Sequence, residues 1–155
     1  MSTAVAAEER VPVATWIGFS AMGLGMFMAI LDIQVVPPSL PTTREALDIA
    51  PERMSWVQTA YLIAEVIAIP LTGWLTRMLT MRGLFATAVA IFTIASIGCA
   101  SSAGFAELTA WRVVQGFAGG TLIPLVFTAA FVIFPKRVEP FATTIAGVLA
   151  VLAPT

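Results

Sequence analysis

Apolar residues run through this chain in long, nearly unbroken blocks separated by short polar punctuation. That pattern fits neither the alternation of a half-buried strand nor the narrow stripe of a soluble amphipathic helix. Counted against the roughly 20 residues that a helix needs to cross about 30 Å of hydrocarbon, the blocks predict four complete transmembrane helices, at approximately Trp16–Val36, Met54–Leu75, Gly83–Ser101 and Leu108–Phe134. A fifth block opens at Phe141 and runs to Thr155, short of a crossing, which predicts that the chain is the N-terminal fragment of a longer protein. Pro51 stands where a first-turn proline starts the second helix, Pro135 where one stops the fourth, and Pro124 predicts a kink within the fourth. Residues 1–15 read as a tail, and the block that follows is too long for the apolar core of a cleaved signal peptide.

The polar residues inside these blocks carry the information. In "SWVQTAYLIAEVIAIPLTGWL", Ser55 to Leu75, a carboxylic acid, Glu65, sits in the middle of a span. A charge there costs roughly 2.5–3.5 kcal/mol on insertion scales, so it needs a partner, a wet cavity or a proton. Gln58, Tyr61, Glu65 and Thr72 fall on one helical stripe, which should face the bundle interior. Two readings of Glu65 stay open: a group that loads and releases protons, or a permanently neutral acid that only hydrogen-bonds a neighbouring helix. In the first span Gly18, Gly25 and Asp32 recur every seven residues with Ala21 and Ala29 beside them, a small-residue stripe on which another helix can dock closely. Met22, Met26 and Met28 are either packing or the soft lining of an adaptable binding surface. In the fourth span Arg112, Gln115 and Gly119 share a face, and Gly116 and Gly120 form a small-xxx-small pair. Arg112 and Asp32 each lie about five residues inside the same end of their spans, so they share a depth and can form a buried ion pair; snorkelling to the surface is the alternative for both. Glu65 falls nearer the midplane. Cys99 reads as a small apolar filler.

Composition narrows the class. Hydrophobic residues make up 59% of the chain and charged ones 11%, with a net charge of −1, which places it among membrane proteins and leaves no basic footprint for nucleic acid. There is no histidine and only one cysteine, so metal centres and an internal disulfide find no support, and no cofactor is expected. "GFAGG" lies within a span and lacks the Lys-Ser or Lys-Thr of a phosphate-cradling loop. An intramembrane carboxylate enzyme built on Asp32 and Glu65 is disfavoured by their different depths, because a proton-sharing dyad must nearly touch. Lys and Arg in the short connections gather on one side, as Arg10, Arg77, Arg82, Lys136 and Arg137, against Arg44 and Arg53 on the other. By the positive-inside rule the N-terminus is cytoplasmic.

Three stretches then resemble a known family. "LDIQVVPPSLP", Leu31 to Pro41, is similar to the L-D-x-T-V-V-N-V-A-L-P signature at the end of the first helix of the fourteen-helix drug:proton antiporters of the major facilitator superfamily, the EmrB/QacA-type multidrug efflux permeases. "RVVQGFAGG", Arg112 to Gly120, resembles the R-x-x-Q-G-x-G-G signature of their fourth helix. "GWLTRMLTMRG", Gly73 to Gly83, stands where the superfamily's G-x-L-a-D-r-x-G-r-k loop belongs, between helices two and three. The loop keeps Gly73, Leu75 and Arg82 but has Arg77 at the usual acidic position. The first signature has Gln34 for Thr, and Pro37-Pro38-Ser39 for Asn-Val-Ala, where the double proline predicts an early end to the helix.

The resemblance implies the N-terminal part of an all-α major facilitator bundle, over residues 16–155, in a bacterial inner membrane. It implies a secondary active transporter, not an enzyme, that exports lipophilic compounds by alternating access as protons move in. Arg112 and Asp32 take the family's coupling positions, with Glu65 added from the polar stripe. Gln58, Tyr61, Gln115, Met22 and Met26 are candidates for the substrate cavity. Gly73, Arg77, Arg82, Gly116, Gly119 and Gly120 are candidates for the conformational loop and helix packing. Protons, a small lipophilic substrate and the bilayer are the implied partners, joined by a periplasmic adaptor and outer-membrane channel where the source is Gram-negative. Export or import of a single metabolite within the same superfamily, and a non-transporting assembly subunit, are the alternatives, since fold does not fix substrate.

Overall fold

The computed structural model describes residues 11–152, and the tail before Val11 and the last residues of the fifth block lie outside it. The described residues form five helices and no strand: α1 Val13–Leu47, α2 Pro51–Met78, α3 Met81–Ser101, α4 Phe105–Ile133 and α5 Glu139–Leu152. Four of them are long and apolar enough to cross a membrane: Val13–Ser39 within α1, Glu52–Met78 within α2, and the whole of α3 and α4. Their outward faces carry large apolar side chains, among them Ile63, Val66 and Ile67 on α2 and Ile94 and Ile97 on α3. In water such a surface would aggregate; in hydrocarbon it is at home. Several threonine hydroxyls of the spans turn back on their own helix, among them Thr72 to the Ala68 carbonyl at 2.8 Å and Thr93 to that of Val89 at 2.8 Å, so these present no unmet donor to lipid.

The connections explain the ends. Pro51 begins α2, where its missing N–H is no loss. Thr80 caps α3, its hydroxyl accepting from the Gly83 amide at 3.2 Å. Pro135 follows the end of α4. Two expectations need correction. The loop placed at Gly73–Gly83 shrinks to Leu79 and Thr80, because Gly73 through Met78 continue α2; Gly73 therefore lies inside a helix, where a Cβ would meet nothing. The first helix does not stop at the double proline: α1 runs on through Pro37, Pro38 and Pro41. A proline's φ is already helical, and its cost is one lost donor each. The carbonyls that lose their partners belong to Ile33, Gln34 and Pro37, of which Gln34 and Pro37 are exposed at the end of the span. The helix ends instead at Asp48, whose φ of 50° is the left-handed turn that stops a helix, in a residue type that tolerates it.

α4 is the centre of the bundle. Of its membrane window 56% is buried, against 22–28% for the other three spans. It runs parallel to α2, with Gly116 facing Tyr61 and Gly120 facing Glu65. A Cβ on Gly116 would collide with the Tyr61 carbonyl group, and one on Gly120 would lie 2.5 Å from the Glu65 carbonyl oxygen, so the two backbones touch only because both positions are glycine. α3 crosses α4 antiparallel, the Trp111 ring lying across Gly98 and Ala88 packing with Leu122. α1 completes the set through Phe19, Met22 and Met26, which pack with Leu125, Val126 and Ala129 of α4. At the end where α1 and α5 begin and α4 finishes, Trp16 packs on Phe134 at a tilt of 52°, 4.7 Å between ring centroids, and meets Phe141 edge-on at 5.9 Å.

Candidate functional site

Near the opposite end, the helices bring a cluster of polar side chains into an otherwise apolar interior. α1 supplies Asp32, α2 supplies Gln58 and Tyr61, α3 supplies Cys99, and α4 supplies Arg112 and Gln115. The antiparallel run of α1 against α4 sets Asp32 level with Arg112, and the glycine-mediated contact of α2 with α4 brings Gln58 and Tyr61 against the same side chain.

Arg112 is the hub. One terminal nitrogen, Nη1, donates to Asp32 Oδ2 at 2.7 Å and to Gln115 Oε1 at 2.8 Å; the other, Nη2, donates to Gln58 Oε1 at 3.1 Å. Gln115 Nε2 in turn donates to Asp32 Oδ1 at 3.1 Å, so both carboxylate oxygens are occupied. The Arg112 side chain is 3% exposed and that of Asp32 18%. A pair this buried contributes less to net stability than its short distance suggests, but removing one partner strands the other charge, at about 3–5 kcal/mol. The planar fork of Arg112, which spans three acceptors on three helices, is geometry that a lysine ammonium cannot reproduce.

The other predicted residues fall into distinct places. Tyr61 is fully buried with its ring under the guanidinium, 4.3 Å from Cζ to the ring centroid. Glu65 is buried one turn further along α2, at the level of Gly120, and its carboxyl makes no hydrogen bond among the described residues. Along α4 that level lies eight residues from Arg112, about 12 Å at 1.5 Å per residue, so Glu65 stands apart from the network. Thr72 completes the stripe, buried and bonded to its own helix. Met26 is fully buried in the apolar core. Met22 belongs to the same core and also borders a largely apolar cavity of about 810 Å³ at the far end, between the starts of α1 and α3, with Gly18, Ala21, Phe85 and Arg82 around it. Gly119 closes against the Tyr61 hydroxyl. Arg77 and Arg82 are exposed.

Cys99 is more than a filler: its thiol donates to Gln115 Oε1 at 3.6 Å, which adds α3 to the cluster. Sequence spacing carried no sign of this, since the contact depends on how α3 crosses α4. Among the described residues no group of His, Cys, Asp and Glu side chains is placed to hold a metal ion.

Comparison with known proteins agrees with this architecture. The sequence profile of the Major Facilitator Superfamily matches residues 22–155. The chain is 39% identical to the colistin resistance protein EmrB of Acinetobacter baumannii over 99% of this chain and 30% of that protein. It is 32% identical to the fatty acid resistance protein FarB of Neisseria gonorrhoeae and 32% identical to the probable multidrug resistance protein EmrY of Escherichia coli, in each case over 90% of this chain and 27% of the relative. The chain thus spans less than a third of the length of these relatives.

Proposed function

The chain belongs to the Major Facilitator Superfamily, and on that premise we propose that it forms part of a proton-driven exporter of lipophilic compounds in a bacterial inner membrane, with its N-terminus in the cytoplasm. The observation that carries the reading is the buried Asp32–Arg112 pair with its two glutamines. A permanent cation is set against a carboxylate that can exchange a proton, at a depth reached from one side of the bilayer. Protonating Asp32 weakens the tie between α1 and α4, and the bundle rocks as the tie is made and broken. Glu65, buried and without a hydrogen-bonded partner among the described residues, is a second group through which a proton passes or against which a substrate docks. Gln58, Gln115 and Met22 contribute to substrate contact, and the basic residues at or beside the connections, Arg77, Arg82, Lys136 and Arg137, keep their end of the helices cytoplasmic.

Resistance to colistin and to fatty acids, named for two relatives, supports an amphipathic substrate with an apolar body. An adaptor and an outer-membrane channel are the partners such an exporter takes in a Gram-negative envelope. The test is efflux of a lipophilic dye from cells expressing the full-length protein. Export should stop when a protonophore collapses the gradient, and Asp32→Asn should abolish it at unchanged protein level. Export that survives the protonophore would refute proton coupling.

A further inference from the structure

Arg112 is held by side chains on three helices, yet two buried atoms at this point have no hydrogen-bond partner among the described residues: its own Nε and the hydroxyl of Tyr61. Tyr61 is 0% exposed. Its hydroxyl is walled in by Gly119, where a Cβ would come within 2.8 Å of the oxygen, with Phe92 and Ala29 beside that position. A buried hydroxyl that forms no hydrogen bond is a net cost, so the hydroxyl does not account for a tyrosine here. The ring does: its face lies 4.3 Å from the guanidinium carbon.

We infer that Tyr61 is a positioning residue whose ring face holds the Arg112 guanidinium inside the bundle while Asp32 is neutral. The inference rests on the reading of Asp32 as a proton-exchanging carboxylate. A guanidinium keeps its charge throughout, so each time Asp32 gains a proton the bundle is left with a buried cation and no anion against it. Glu65 on α2 and Cys99 on α3 are the other titratable side chains turned inward near the site, while Glu45, Glu52, Arg53, Arg77, Arg82 and Glu107 are exposed near the helix ends; among the described residues none of these is paired with Arg112. What remains are the carbonyl oxygens of Gln58 and Gln115 and the negative face of the Tyr61 ring. Attraction between a cation and a ring face needs no proton and is strongest in a desolvated site. Asp32 in its charged form opposes the field of Arg112 at the ring; once Asp32 is neutral, the ring is polarised by the whole cation, and its hold increases. Tyr61 thus keeps Arg112 from swinging out during the step in which its counter-ion is absent.

The test reads stability rather than transport, so that it can fail or succeed independently of the transport reading. Thermal unfolding of the purified full-length protein is compared for Tyr61→Phe and Tyr61→Leu, each in the native and the Asp32→Asn background, with Asn standing in for neutral Asp. Tyr61→Phe should leave Tm unchanged or raise it in both. Tyr61→Leu should lower it, and the drop should be about 2 °C or more larger in the Asp32→Asn background. Tyr61→Met, equally bulky and without an aromatic face, replaces the leucine variant if that one does not purify. If phenylalanine proves as damaging as leucine, the hydroxyl is the working part and the inference is wrong. An equal loss in both backgrounds would also overturn it, by reducing Tyr61 to ordinary packing.

Discussion

Arg112 has five N–H donors, and at this site three hydrogen-bond acceptors and one aromatic face decide where it points. Because Asp32 receives both Arg112 and Gln115, the two residues should behave as a unit. Arg112→Ala strands the carboxylate and should cost about 3–5 kcal/mol. Arg112→Lys retains the charge but not the fork, and should fold while losing most efflux, a combination visible by comparing Tm with dye export. Exchanging the two charges, Asp32→Arg with Arg112→Asp, should recover folded yield that either reversal alone destroys. Failure to recover would show that the glutamines and the Tyr61 ring, which suit a cation on α4 only, outweigh the pairing itself. Depth counting along two separate spans was enough to place Asp32 opposite Arg112, since both are fixed by the helical rise. It was not enough to place Cys99 or the orphaned Tyr61 hydroxyl, which depend on crossing angles that no linear spacing records.

Between elements, the decisive feature is the contact of α2 with α4. Gly116 and Gly120 let the two backbones meet, whereas Gly18 and Gly73 face open space. Gly116→Ala should therefore force the helices apart and lower stability by a few kcal/mol, about the range of other core overpacking. Gly18→Ala and Gly73→Ala should be neutral or stabilising by about 0.5–1 kcal/mol, through helix propensity alone. Thermal unfolding of the three variants in one detergent distinguishes them, and equal behaviour would contradict the packing described. The small-xxx-small spacing made Gly116 and Gly120 legible as a docking pair from sequence. The same reasoning overvalued Gly18, whose stripe packs only further along, where Gly25 meets Phe85 and Ala29 packs with Ala88. Prolines misled in the opposite direction: a lost donor near the exposed end of a span costs too little to end α1, and the left-handed Asp48 ends it instead.

For the whole molecule, four spans with short connections leave a polar cluster toward one end and a basic rim at the other. If the N-terminus is cytoplasmic, a single cysteine introduced at Arg77 or Lys136 in a background with Cys99 and every other native cysteine replaced should be labelled by an impermeant thiol reagent only after cells are opened. One at Asp48 should be labelled in intact cells. The reverse pattern would invert the bundle and place the Asp32–Arg112 pair on the cytoplasmic side. Hydropathy made the spans legible because the bilayer allows so few backbone solutions; it is silent on coupling, which depends on the rest of the transport cycle. The most direct measurement is proton movement in sealed proteoliposomes of the full-length protein carrying an internal pH dye, when a lipophilic substrate gradient is imposed. The account predicts proton flux opposite to substrate flux, abolished by Asp32→Asn. Substrate movement without proton flux, or proton flux undiminished in Asp32→Asn, would contradict it.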